Sequence, residues 1–231
     1  MNVREKLITG GFCASALVSV AVLFVVVGFI ASNGLGALSI KFLLEFPYRF
    51  EYGGIFPQII GTLCLVAVCL LFAVPLGVAS AIYLAEYASD KRITGIVRFF
   101  VECLAGIPSI VIGMFGLIFL VCYLGFDISM LSGGLALGFM ILPWTVRTSE
   151  EAIKAVPNAY REASLALGVS QWRTIRGVVL RSACPGILTG ILLGLGKAMG
   201  EPAVVLLTAG SGLESFLPKS LLDPVGSLYI R

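Results

Sequence analysis

The chain has 231 residues, of which 58% are hydrophobic and only 13% charged, with a mean hydropathy of +1.03. Roughly a quarter of the residues in a soluble domain are charged, so a water-exposed globule is excluded and lipid is the expected solvent. A net charge of +3 argues against a nucleic-acid surface, and the absence of histidine removes the usual proton relay and metal ligand.

Arg4 and Lys6 precede an apolar stretch over 7–31 that is too long for the h-region of a signal peptide and lacks a small-residue cleavage site. It is expected to be an uncleaved first span, 7–32. Further runs long enough to cross a bilayer predict spans at 57–85, 99–124, 131–147 and 184–209. The connection 33–56 is aromatic and glycine-flanked, as suits an interfacial segment. A short turn near Gly125 and Asp127 makes spans three and four a helical hairpin. The predicted fold is all-α, a polytopic membrane bundle of about five helices. Its parts are a first helix with its extracellular connection (1–56), a core (57–209) and an extracellular C-terminal tail (210–231).

Orientation follows from lysine and arginine placement. With the N-terminus inside, the inner segments hold Arg4, Lys6, Lys91, Arg92, Arg98, Arg147, Lys154, Arg161, Arg173, Arg176 and Arg181, eleven of the sixteen basic residues. Lys41, Arg49, Lys219 and Arg231 fall outside, and Lys197 lies within a span. The bias places the N-terminus in the cytoplasm and the C-terminus outside.

Pro75 and Gly106-Ile107-Pro108 interrupt spans, and the pairs Gly134/Gly138, Gly190/Gly194 and Gly196/Gly200 let helices approach closely. The six cysteines (13, 64, 69, 103, 122 and 184) are scattered singly with no CxxC pair, so they read as small packing residues and not as a metal or disulfide framework.

The longest inner segment, 148–183, is punctuated as helices. Thr148 or Ser149 is expected to cap a helix whose first turn holds Glu150 and Glu151. Pro157 suits a first helical residue, Gly168 a C-terminal stop, and Ser170 a cap for the helix that leads to Pro185. A short, capped helix tied to two spans can carry a push from a docked partner. Its small residues Ala163, Ser164, Ala166 and Gly168 would let a groove close over it. A helix lying on lipid would want larger apolar residues than alanine.

The run Glu162-Ala163-Ser164-x-Ala166-x-Gly168, followed by Cys184-Pro185-Gly186, resembles the EAA loop of ABC-importer permeases. Ser164 stands where that pattern has a second alanine, and VVLRSACPG replaces its Leu-Pro tail. The segments GGIFPQIIGTL, VPLGVASAIYLAEYA, LAGIPSIVIGMFGL, ILPWTVRTSEEAIKAVPNAYREASLALG and PGILTGILLGLGKAMGEPAVVLLTAG follow one another as in the A-type permeases of phosphate-uptake ABC transporters. The resemblance implies a type I ABC importer permease fold in a multi-pass cytoplasmic membrane protein, with ATPase coupling through Glu162, Ala163, Ser164, Ala166 and Gly168. It implies a second homologous permease subunit, two ABC ATPase subunits and an extracellular or periplasmic phosphate-binding protein as partners. It also implies one more span than the present sequence contains.

Charges inside a membrane are costly and usually functional. Lys197 and Glu201, four residues apart, are expected to pair on one helix face. Phosphate permeases carry an arginine matching Arg147 and an Arg-Ala-x-Gly-Glu-Thr run, in which Lys197 stands for the arginine, Glu201 is kept and Pro202 replaces the threonine. The resemblance thus implies that Arg147, Lys197 and Glu201 line an anion path. Lysine lacks the planar bidentate grip of arginine, which leaves sulfate, molybdate or tungstate open as cargo beside phosphate. No GxxxxGK[ST] loop and no nucleophile–base pair occur, so no catalytic residue, metal site or cofactor is expected here; ATP and Mg would be used by the partner ATPase. A transporter independent of any ATPase would show inverted repeats, and none is evident.

Overall fold

The computed structural model describes residues 3–48, 52–88, 91–210 and 217–228. Arg49 and Arg231, counted above with the outer basic residues, lie outside the described residues, as do the side chains of Arg4, Lys6 and Lys91. The chain divides into two units, Met1–Phe56 and Pro57–Arg231.

The first unit is dominated by α1 (Val3–Gly34), apolar on all sides and unburied along its apolar stretch, as expected of a helix whose solvent is lipid. A short α2 (Ile40–Leu44) follows, capped by Ser39, whose hydroxyl accepts from the Phe42 amide at 3.1 Å. A two-residue antiparallel ladder, β1 (Pro47–Tyr48) with β2 (Tyr52–Gly53), completes the unit.

The second unit contains α3 (Phe56–Ile82), α4 (Lys91–Ala105), α5 (Ser109–Gly116), α6 (Met130–Lys154), α7 (Asn158–Ala166), α8 (Gln171–Thr174), α9 (Leu180–Met199) and α10 (Pro202–Thr208). Wider π turns extend α3 over Tyr83–Tyr87 and α5 over Leu117–Tyr123, and join α8 to α9 over Ile175–Val179. Such turns recur at functional positions. With α1, four helices among the described residues are long and apolar enough to cross a membrane, and a bent pair makes five if it is one span.

That bent pair corrects the third predicted span. Residues 99–124 do not form one rod: Arg92–Ala105 and Ser109–Tyr123 meet at 96°. Pro108 has no amide hydrogen to donate and drives the residue before it out of the helical region. The Gly106 amide closes α4 on the Glu102 and Cys103 carbonyls, at 3.2 and 3.1 Å. The turn before α6 is as expected, with left-handed backbone at Gly125 (φ 67) and Asp127 (φ 54).

The hub is α6. Burial covers 67% of its apolar stretch, against 28% for α3 and for the Gln171–Met199 helix. The main core joins Leu65, Cys69 and Ala73 of α3 to Ala136, Leu137, Met140 and Ile141 of α6, and to Ala198, Val204 and Val205. A second cluster toward the C-terminal end of α6 joins Ala81, Ile153, Val156, Val179, Ala183 and Ile187. Glycines set the helix spacing: a Cβ on Gly134 would fall 2.5 Å from Val68 Cβ, and one on Gly190 would fall 2.6 Å from Thr148 Cβ. Only a missing side chain permits that approach.

At the N-terminal end of α6, the tail 217–228 folds back instead of trailing. The Met130 and Leu131 amides donate to the Asp223 and Leu221 carbonyls, both at 2.9 Å, and the Leu228 amide donates to Thr62 Oγ1 at 3.1 Å. The first two bonds satisfy amides that the start of α6 leaves without partners.

Two further expectations change. The fourth predicted span does not end at 147: α6 continues to Lys154, because no Gly or Pro intervenes before Pro157. The fifth does not begin at 184 or run unbroken to 209. A continuous helix covers Gln171–Met199 with Pro185 inside it, and Gly200 and Glu201 separate it from α10. Replacing Gly190 with Leu should wedge α9 from α6 and cost about 1–3 kcal/mol. Gly196→Leu, where a Cβ meets nothing within 4 Å, should leave the melting temperature of the purified chain in detergent unchanged.

Candidate coupling surface and anion path

The helix α7 lies between two chain breakers. Pro157 precedes it with extended backbone (φ −57, ψ 136), as the N-cap residue and not the first helical one. Gly168 ends the segment with φ 77, a conformation open to glycine at little cost. Ser170 holds the N-cap position of α8 but its side chain makes no capping bond. Glu162, Ala163, Ala166 and Gly168 are all exposed. Ser164 is half-buried, with its hydroxyl 2.9 Å from that of Thr174, tying α7 to α8. Leu167 is 83% exposed, a large apolar side chain beside the small-residue face.

What anchors this helix is Arg161. Its Nη2 and Nε donate to Glu86 Oε1 at 2.7 and 3.0 Å, at the π-turn end of α3. Nη2 also donates to the Ile153 carbonyl at 2.9 Å, and Nη1 donates to the Val156 carbonyl at 2.6 Å. The pair is mostly buried, with side-chain exposures of 19% and 9%. Gln171 Nε2 adds a bond to the Glu86 carbonyl at 3.4 Å. One planar guanidinium thus fastens α7 to the ends of α3 and α6 at once, which its fixed fork of donors suits better than an ammonium. Glu86 was not singled out in the sequence. Its signal was a lone carboxylate at the end of an apolar span, AIYLAEYA.

The cap expected at Thr148 or Ser149 is not formed. Both lie inside α6: the Thr148 hydroxyl donates to the Trp144 carbonyl at 2.8 Å, and the Ser149 hydroxyl is buried without a hydrogen-bond partner. Glu150 and Glu151 accordingly sit near the end of α6 and make ion pairs instead of greeting a helix start. Glu150 receives Arg98 Nε of α4 at 2.9 Å and Lys154 Nζ at 2.6 Å. Arg147 reaches Glu102 of α4 at 3.2 Å and Glu151 at 3.3 Å. These six charges, with Leu84, Val101 and Val146, line a cleft of about 160 Å³ between α4 and α6.

Of the anion-path candidates, Lys197 contacts Trp144 and Arg147 lines a cleft with the same ring. The Lys197 ammonium lies 4.7 Å from the Trp144 ring centroid, a cation–π contact. Trp144 and Arg147 together line an adjoining cleft of about 200 Å³ with Val101, Glu102, Ala105 and Pro143. Glu201 does not join them. Lys197 closes α9, whereas Glu201 precedes α10 with φ −107 and ψ 85, and no ion pair links the two among the described residues. Pro202 is the cause: it disfavours helical backbone at the residue before it, so the four-residue spacing no longer stacks the two charges on one face. Among the described residues no group of His, Cys, Asp and Glu could hold a metal ion.

Residues 73–223 match the family described as binding-protein-dependent transport system inner membrane component. A probable ABC transporter permease protein, YqgI of Bacillus subtilis, is 40% identical over 210 residues, covering 90% of this chain and 71% of the relative. The chain belongs to this family. Proteins named phosphate transport system permease protein PstA are also similar. That of Xylella fastidiosa is 37% identical, covering 85% of this chain and 68% of its own, and that of Haemophilus influenzae 36%, covering 98% and 80%. Among solved structures, an inward-facing MetNI methionine ABC transporter superposes with a TM-score of 0.52 at 22% identity, covering 63% of this chain and 68% of that one. The fold is that of an ABC importer permease, carried by a multi-pass membrane protein.

Within this permease, loss of the Arg161–Glu86 pair should be felt locally. Arg161→Ala or Glu86→Ala removes one partner of a largely buried pair, a change that costs roughly 3–5 kcal/mol. Hydrogen exchange should accelerate across α7 in either variant, while the amides of α6 stay protected.

Proposed function

We propose that this chain is a membrane-spanning permease subunit of an ATP-driven importer that carries inorganic phosphate into the cell. The observation that carries the reading is the pairing of a short, exposed, small-residue helix with a rigid anchor. Glu162, Ala163 and Ala166 face outward on α7, while Arg161 fastens the same helix to α3 and α6. An ATPase groove closing over the exposed face would find no bulky side chain on Ala163 or Ala166, and any displacement would pass to two spans at once. The phosphate transport relatives support the choice of cargo.

The assembly this implies has a second homologous permease subunit, two ABC ATPases on the cytoplasmic loops and an external phosphate-binding protein that delivers the anion. ATP and Mg would be bound by the ATPases, with no cofactor on this chain. The inner excess of lysine and arginine supports a cytoplasmic N-terminus.

Arg147 and Lys197 are the proposed cationic steps of the anion path, with Glu201 set apart from them beyond the Gly200 break. Conduction needs attraction weak enough to allow release. Arg147 meets that need because Glu102 and Glu151 share its charge. Lys197 meets it differently: its contact with Trp144 holds the ammonium in place without neutralising it, and it offers a point charge instead of a bidentate clamp.

Two outcomes follow. Lys197→Ala and Arg147→Ala should each lower uptake of radiolabelled phosphate by the assembled complex at least about tenfold, as for a lost charge contact of ~1.5–3 kcal/mol. Uptake at the normal rate and normal expression would remove these residues from the path, and competition by sulfate, molybdate or tungstate would reassign the cargo. Ala163→Trp should abolish co-purification of the ATPase while the permease still reaches the membrane; retained co-purification would move the docking site elsewhere.

A further inference from the structure

Behind α7, at the start of the long Gln171–Met199 helix, three arginines stand without partners. Arg173, Arg176 and Arg181 are exposed and have no hydrogen bond or ion pair among the described residues, whereas Arg98, Arg147 and Arg161 are all paired. With Trp172 and Gly177 they line an open cleft of about 470 Å³. The π turn at Ile175–Val179 falls between Arg173 and Arg181. Its i→i+5 bonding winds the chain more slowly than an α-helix, which returns Arg181 to the face of Arg173 and Arg176 when regular α spacing would carry it past. Gly177 leaves the centre of the cleft open, since a Cβ there would meet nothing within 4 Å.

The same face continues as an apolar stripe. Above Arg181 come Cys184 and Pro185, then Leu188 at 53% and Leu192 at 66% exposure. Arg181 to Leu192 spans about 16 Å of helix, close to the roughly 15 Å of one leaflet's hydrocarbon. A cationic foot and one leaflet's length of apolar surface above it match a phospholipid with an anionic headgroup.

We infer that Arg173, Arg176 and Arg181 bind the phosphate of an anionic phospholipid, with an acyl chain along Leu188 and Leu192. The site is separate from the proposed anion path, and its assignment to the inner leaflet rests on the proposed orientation. An acidic protein surface would satisfy the arginines but would leave the leucine stripe unexplained.

The test uses the full chain in nanodiscs of phosphatidylcholine doped with either brominated phosphatidylglycerol or brominated phosphatidylcholine, with a Leu188→Trp reporter on the acyl stripe whose emission is read as the difference from the native chain. Brominated phosphatidylglycerol should quench the Leu188→Trp reporter more strongly. Each Arg→Gln change at 173, 176 or 181 should weaken its apparent affinity about fivefold, the effect of one cation at an anionic surface. Millimolar inorganic phosphate should not reverse the quenching. Equal quenching by the two lipids, affinity unchanged in all three single variants, or displacement by free phosphate would each overturn the inference.

Discussion

The placement of α7 depends on one buried contact between charges far apart in the chain. Arg161 and Glu86 are 75 residues apart, and their pairing at 2.7 Å fixes where α7 stands relative to α3. Taking both charges out of water is costly, and the cost is offset only because the guanidinium also reaches the Ile153 and Val156 carbonyls at the end of α6. Without that pair α7 would be a nine-residue helix between Pro157 and Gly168, too short to be stable alone. With it, the helix becomes an extension of two spans. Under the proposed function the exposed alanines then matter, because a surface can transmit force only if it is fixed from behind.

The same logic governs the neighbouring charges. At 25 residues α6 is about 37 Å long, more than the roughly 30 Å hydrocarbon core, so its final turns project into the aqueous boundary. There Glu150 and Glu151 gather Arg98, Arg147 and Lys154, and Glu102 shares Arg147, which binds the bent α4 to the hub. Arg147 is therefore both a brace and a cation at a cleft.

The sequence made the apolar helices, the turn at Gly125 and the bounds of α7 legible, because each is written in local signals. Long hydrophobic runs mark spans, Pro157 and Gly168 mark the ends of α7, and the small-residue pattern marks its outer face. What escaped were features decided by partners distant in the chain or by subtle backbone changes. The apolar end of α4 blended into α5, so the 96° bend was hidden behind a single proline. The charge of Arg147 looked like a membrane boundary, although nothing there stops a helix. Lys197 and Glu201 had the spacing of a pair, yet Pro202 changed the backbone between them. The Glu86–Arg161 and Arg98–Glu150 contacts join separate segments, and no local pattern announces such contacts.

The most direct test is the number of phosphate ions moved per ATP hydrolysed by the reconstituted complex, compared between the native chain and Glu86→Ala. If Arg161 and Glu86 fasten the lever to the spans, the ATPase will still dock and hydrolyse ATP in the variant, and the ratio will fall several-fold. An unchanged ratio, with α7 shown by hydrogen exchange to be loosened, would contradict the role assigned to this pair.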